Sequence, residues 1–94
     1  MAPVPGIDEI RLGLSGFLRD ETFAEGVTFD SATPLASLGV DSMALVQVLL
    51  FVERRFGVEV PDAELTRANT ATVDALALCI ERAIRQRAEA AGRG

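Results

Sequence analysis

Histidine and lysine are absent from this sequence of 94 residues, and so are tryptophan and tyrosine. Without histidine the chain lacks the commonest general base and the commonest neutral metal ligand. A Ser-His-Asp device cannot be assembled from it alone, and no lysine can replace the missing imidazole. Cys79 is the single cysteine, which excludes an internal disulfide and a cysteine-built metal centre. The expectation is a protein that is not an enzyme, with neither catalytic residues nor metal ligands. No apolar run approaches the roughly 20 residues that span a bilayer, so no membrane partner is expected. The start, MAPVPGIDEI, has neither the basic end nor the apolar centre of a signal peptide, and a cytoplasmic location follows as the default.

What is present is a globular composition, 49% hydrophobic, with chain enough for one small domain and one core. That core must be aliphatic, because five phenylalanines are the whole aromatic content. All nine bases are arginine, and the net charge of −5 is unevenly spread. Residues 1–64 hold 11 acids and 4 arginines; residues 65–94 hold 3 acids and 5 arginines. From Asp20 through Glu21, Glu25 and Asp30 to Asp41 there is no base at all. Nucleic acid is repelled from such a side, whereas a partner with a basic patch is drawn to it.

The first amphipathic segment sets Ile7, Ile10, Leu14, Phe17 and Leu18 on one helical face, with Asp8 as the expected cap. Gly13 and Gly16 weaken that helix by about 1 kcal/mol each relative to alanine, so it depends on packing. Residues 20–40 form a long connection that still carries Val27, Phe29, Leu35, Leu38 and Val40, and is read as an ordered loop with Leu35 and Leu38 inward. A second helix is expected from Asp41 or Ser42 to Phe56, with Met43, Val46, Leu49, Val52 and Phe56 as its buried stripe and Gly57 as its C-cap. Ala44, Leu45, Gln47, Leu50, Phe51, Glu53, Arg54 and Arg55 then point outward. Val58 and Val60 turn inward, and Pro61 opens a short helical turn. The last helix starts near Thr72, with Val73, Leu76, Ala77, Ile80 and Ile84 on its core face and Cys79 as a partly buried neighbour. Residues 1–6 are expected as a flexible start, 7–88 as the domain and 89–94 as a flexible tail.

The chemistry concentrates in LGVDSM, residues 38–43. Asp41 and Ser42 are both good helix caps, and one cap is all a helix needs. A cap alone explains neither Gly39 nor the apolar Met43 behind the serine. Residues 33–61, TPLASLGVDSMALVQVLLFVERRFGVEVP, resemble the central motif of the acyl and peptidyl carrier proteins. The likeness rests on Leu38, Gly39, Asp41, Ser42 and Met43, then on Glu53, Phe56, Gly57, Val58, Val60 and Pro61, with no gap between the halves. Weaker resemblance extends from Ile7 to Ile84.

That resemblance implies an all-α four-helix bundle with a long first loop and a short third helix. It implies 4′-phosphopantetheine carried covalently on Ser42, placed there by a phosphopantetheinyl transferase, with a thioester at the arm's far end. A loading enzyme, adenylating or acyl-transferring, and a downstream synthase are the further partners. Asp41, Met43, Gln47, Leu50, Phe51 and Arg54 are the candidate partner contacts of a monomer. The second helix is poor in outward acids, unlike the fatty-acid-synthesis carriers, which points to docking by apolar contact. The Ser-Met pair with Val46-Gln47 is similar to aminoacyl carriers. LLFVERRFGVEV with LTRANTATVDAL is similar to discrete carriers of unusual extender or starter units for polyketide or nonribosomal peptide assembly. The alternative is a carrier-like adaptor that only binds proteins, with Ser42 reduced to a cap.

Overall fold

The computed structural model describes residues 5–20 and 28–93. Expectations for residues 1–4, for Glu21, Glu25 and Val27, and for Gly94 lie outside the described residues. Three α-helices carry the fold: α1 (Ile7–Asp20), α2 (Ser42–Phe56) and α3 (Val73–Arg93). Two 3₁₀ turns, Leu35–Leu38 and Asp62–Glu64, punctuate the connections. The bundle is all-α, and its short third helix is the single turn after Pro61.

Helix α1 forms because Ile10, Leu14 and Leu18 repeat every four residues and are all buried. It begins one residue before the expected cap, since the Gly6 carbonyl already accepts from the Ile10 N–H. Asp8 therefore lies inside the first turn, where it favours the positive end of the helix and pairs with Arg11 at 3.0 Å. Arg11 also reaches Asp74 at 2.8 Å, tying α1 to the head of α3. Gly13 has a steric purpose beyond its low helix propensity. A Cβ there would stand 3.0 Å from Phe56 Cζ, so a larger residue would require the Phe56 ring to shift where the end of α2 closes on α1.

Helix α3 follows the sequence pattern closely. Thr72 Oγ1 accepts from the Ala75 N–H at 3.0 Å, and Val73, Leu76, Ala77, Ile80 and Ile84 are buried. Cys79 is fully buried, not partly, with burial pushing its thiol pKa up. The helix continues to Arg93, through most of the segment expected as a tail.

Helix α2 is rotated from its expected phase. Ala44, Val48 and Val52 are its buried residues, an i, i+4, i+8 stripe. Met43 and Val46, expected inside, are exposed, while Leu49 and Phe56 are only partly buried. Ala44, expected outside, is in the core, and Phe51 is half-buried because its ring stacks on Phe17 at 4.6 Å between centroids. Val52 is common to both readings, which is why the helix was placed correctly while its face was not.

Candidate functional site

The approach to Ser42 is built by a tight backbone path. Leu35 and Leu38 anchor the 3₁₀ turn in the core, and Gly39 ends it at φ +81°. Its N–H returns to the Ala36 carbonyl at 3.2 Å, and the Val40 N–H returns to Leu35 at 3.1 Å. Nothing lies within 4 Å of a Cβ at Gly39, so the left-handed conformation, not space, demands glycine.

Asp41 then takes the cap. Its backbone is extended, and Oδ1 accepts from the Ala44 N–H at 2.9 Å. Its carbonyl accepts the first helical bond, from Leu45. Ser42 is the first helical residue, exposed, and its hydroxyl bonds to none of the described residues. The N–H groups of Ser42 and Met43 likewise have no acceptor among the described residues. The arrangement is a free hydroxyl beside two free amides at the positive end of a 15-residue helix. It can accept a phosphoester and stabilise its anionic oxygens. The chain has no histidine to serve as a base for the hydroxyl, and Asp41 Oδ1 is engaged in the cap.

Ser42 lines a cleft of about 450 Å³ together with Leu35, Val40 and Leu45 and with Arg67, Thr70 and Ala71. A wider cleft of about 640 Å³ between α1 and α2, floored by Phe17 and Phe51, does not include Ser42. Of the two, the smaller matters for the chemistry, because the exposed Ser42 hydroxyl lies in its wall. Among the described residues, no group of three or more His, Cys, Asp or Glu side chains could hold a metal ion.

The candidate contact residues divide into two sets. Met43 (76% exposed), Gln47, Leu50 (44% exposed) and Arg54 all lie open on α2. Asp41 is exposed but occupied as the cap, and Phe51 is largely spent on Phe17 and Phe56. Val46, 53% exposed, joins Met43 and Leu50 on one apolar strip and was missed by sequence reasoning, which had it inside. Arg67 was missed too. Its place in the Ser42 cleft depends on contacts distant in sequence, and no local signal reveals it.

Comparison with known proteins agrees with this geometry. Two acyl carrier proteins of Rickettsia bellii, from strains OSU 85-389 and RML369-C, are each 50% identical to this chain over 30 residues. That match covers 32% of this chain and 37% or 35% of the relative, so little more than a third of either relative is aligned. A chain in the crystal structure of Bradyrhizobium japonicum glycine:[carrier protein] ligase, complexed with cognate carrier protein and an analogue of glycyl adenylate, superposes with a TM-score of 0.58 at 26% identity. The superposition covers 85% of this chain and 96% of that one. No helix among the described residues is long and apolar enough to cross a membrane. The family described as "Phosphopantetheine attachment site" matches residues 17–80, more than half of the chain. With its serine standing free at a helix head, the chain belongs to that family, whose domain carries 4′-phosphopantetheine on a serine and is not itself a catalyst.

Proposed function

We propose that this protein is a carrier of acyl or aminoacyl thioesters, with Ser42 as the attachment residue. The observation that carries the reading is the division of labour at the head of α2: Asp41 holds the cap, and the Ser42 hydroxyl is left exposed with no partner. In the loading step the Ser42 oxygen attacks the phosphorus of coenzyme A that bears the pantetheine. A new P–O bond forms, the pyrophosphate linkage breaks, and adenosine 3′,5′-bisphosphate leaves. The transferase takes the serine proton, since this chain has no base for it. The thiol of the attached arm then holds the cargo as a thioester, and tethering raises the cargo's effective concentration at each partner's active site.

The fit is made by this chain's own groups. The Ser42 and Met43 amides face the position of the phosphodiester, and the adjoining cleft leaves room for the arm to depart. Asp41, Met43, Gln47, Leu50, Phe51 and Arg54 form the partner face in this reading. Its contact area is the apolar strip of Met43, Val46 and Leu50, with Phe51 contributing only its open edge. A dedicated adenylating enzyme is the favoured loading partner, supported by the structural likeness to a chain solved with a glycine:[carrier protein] ligase. Delivery to a polyketide or nonribosomal peptide synthase, from a cytoplasmic pool of monomer, completes the proposal.

Intact mass tests it. Coenzyme A and a broad-specificity phosphopantetheinyl transferase are expected to add one phosphopantetheinyl unit to wild type and none to Ser42→Ala. A wild-type protein that stays unmodified beside a carrier that is modified in the same tube would leave the adaptor reading in its place.

A further inference from the structure

The segment between the second 3₁₀ turn and α3 is held as a compact turn. Thr66 Oγ1 accepts from the Asn69 N–H at 3.1 Å, and the Thr66 carbonyl accepts from both the N–H and the hydroxyl of Thr70. Asn69 donates to the Glu64 carbonyl at 2.7 Å, and Glu64 pairs with Arg82 of α3 at 3.6 Å. Two backbone bonds then fasten this region to the loop ahead of Ser42: Leu35 N–H to the Ala71 carbonyl at 2.8 Å, and Asp74 N–H to the Ser31 carbonyl at 2.9 Å. Arg67 rides on a support fixed relative to Ser42.

Arg67 is also unclaimed. It forms no ion pair with any described residue, whereas Arg11, Arg82 and Arg85 each do. It is the sole charged base in the wall of the Ser42 cleft, whose other charged member is Asp41. The base lines the same, mainly apolar cleft as the hydroxyl that would receive an anion.

We propose that Arg67 is the counter-ion of the phosphodiester on Ser42, drawing the root of the prosthetic arm to the 66–71 side of the cleft and so setting the direction in which the arm leaves the protein. The inference rests on attachment at Ser42. The phosphodiester keeps one negative charge at neutral pH, and guanidinium is suited to two-point contact with its unesterified oxygens. The helix head supplies amides, and Arg67, lining the same cleft, supplies charge. Asp41, whose Oδ1 caps the helix, forms no ion pair with Arg67 among the described residues.

The test compares ¹⁵N-labelled apo and holo protein, prepared from wild type, Arg67→Gln and Arg67→Lys, with intact mass recorded first. In wild type, conversion to holo should shift the Arg67 Nε–H resonance and slow its exchange with water by roughly 1.5- to 5-fold at low salt, the range an exposed ion pair supports. The slowing should vanish at 1 M salt, where the screening length is about 3 Å. The ³¹P resonance of the phosphodiester should move in Arg67→Gln and lie between the two in Arg67→Lys. An unchanged Nε–H on conversion, or one ³¹P position for all three proteins, overturns the role of Arg67 while leaving attachment intact. Absence of any mass gain in wild type removes the attachment reading and this inference together. The wild-type comparison needs no variant, so a poorly folded substitution does not spare the proposal.

Discussion

Helices α2 and α3 are both rich in apolar residues, and they use them differently. In α3, Leu78 is the one large apolar side chain that is exposed among the residues described, and the rest face the core. In α2, the core takes Ala44, Val48 and Val52, with Leu49, Phe51 and Phe56 packed partly against it, while Met43, Val46 and Leu50 face solvent. The outward strip of Met43, Val46 and Leu50 adds little to the fold. The contrast separates a helix that keeps nearly all its large apolar residues in the core from one that leaves a strip of them exposed, which in the proposed reading is the partner face.

The strongest way to break that contrast is through stability. Ile80→Ala in α3 should cost about 2–5 kcal/mol in denaturant unfolding, as a fully buried side chain leaves a cavity. A cost below 1 kcal/mol would mean α3 does not anchor the core. Next comes Gly39→Ala, expected to lose about 1–2 kcal/mol because a side chain must enter the left-handed region at φ +81°. Asp41→Ala should follow at about 1 kcal/mol for the lost cap, with Ser42→Ala much nearer to zero. Equal losses at the two positions would show that the serine shares the capping role. Smallest of these, Met43→Ser, Val46→Ser and Leu50→Ser should each stay within about 0.5 kcal/mol of wild type, as exposed positions do. The same three changes should slow loading by the cognate enzyme. Large destabilisation by any of them would place that side chain in the core after all.

A pH measurement sharpens the picture of α3. Burial raises the Cys79 thiol pKa above its ordinary 9.0, so the folded state holds a proton that the unfolded state releases more readily. Its contribution to stability is complete below 9.0 and fades as pH climbs through the raised value. The chain has no lysine and no tyrosine, so no other side chain is expected to ionise between its carboxylates and its arginines. Cys79→Ala should flatten the alkaline fall in unfolding free energy, and an unaltered slope would show that the thiol is not the group responsible.

The difference between the two helices also governs what could be read from the sequence. In α3, Asp74, Glu81, Arg82 and Arg85 interrupt the apolar positions and leave one possible phase. In α2, Gln47 is the sole polar residue from Met43 to Val52, so two stripes compete and differ by a rotation about the axis. The spacing of Met43, Val46, Leu49, Val52 and Phe56 follows one of them, and the fold uses the other. Asp41, Ser42, Gly57 and Thr72 were legible because capping chemistry is local. The Phe17–Phe51 stack, the close approach at Gly13 and the position of Arg67 arise from pairs distant along the chain, which spacing does not encode.

Because the aspartate and not its neighbour closes the first turn, esterifying the neighbour takes nothing away from the scaffold. In the proposed reading, a group esterified at Ser42 would be added without breaking any hydrogen bond among the described residues.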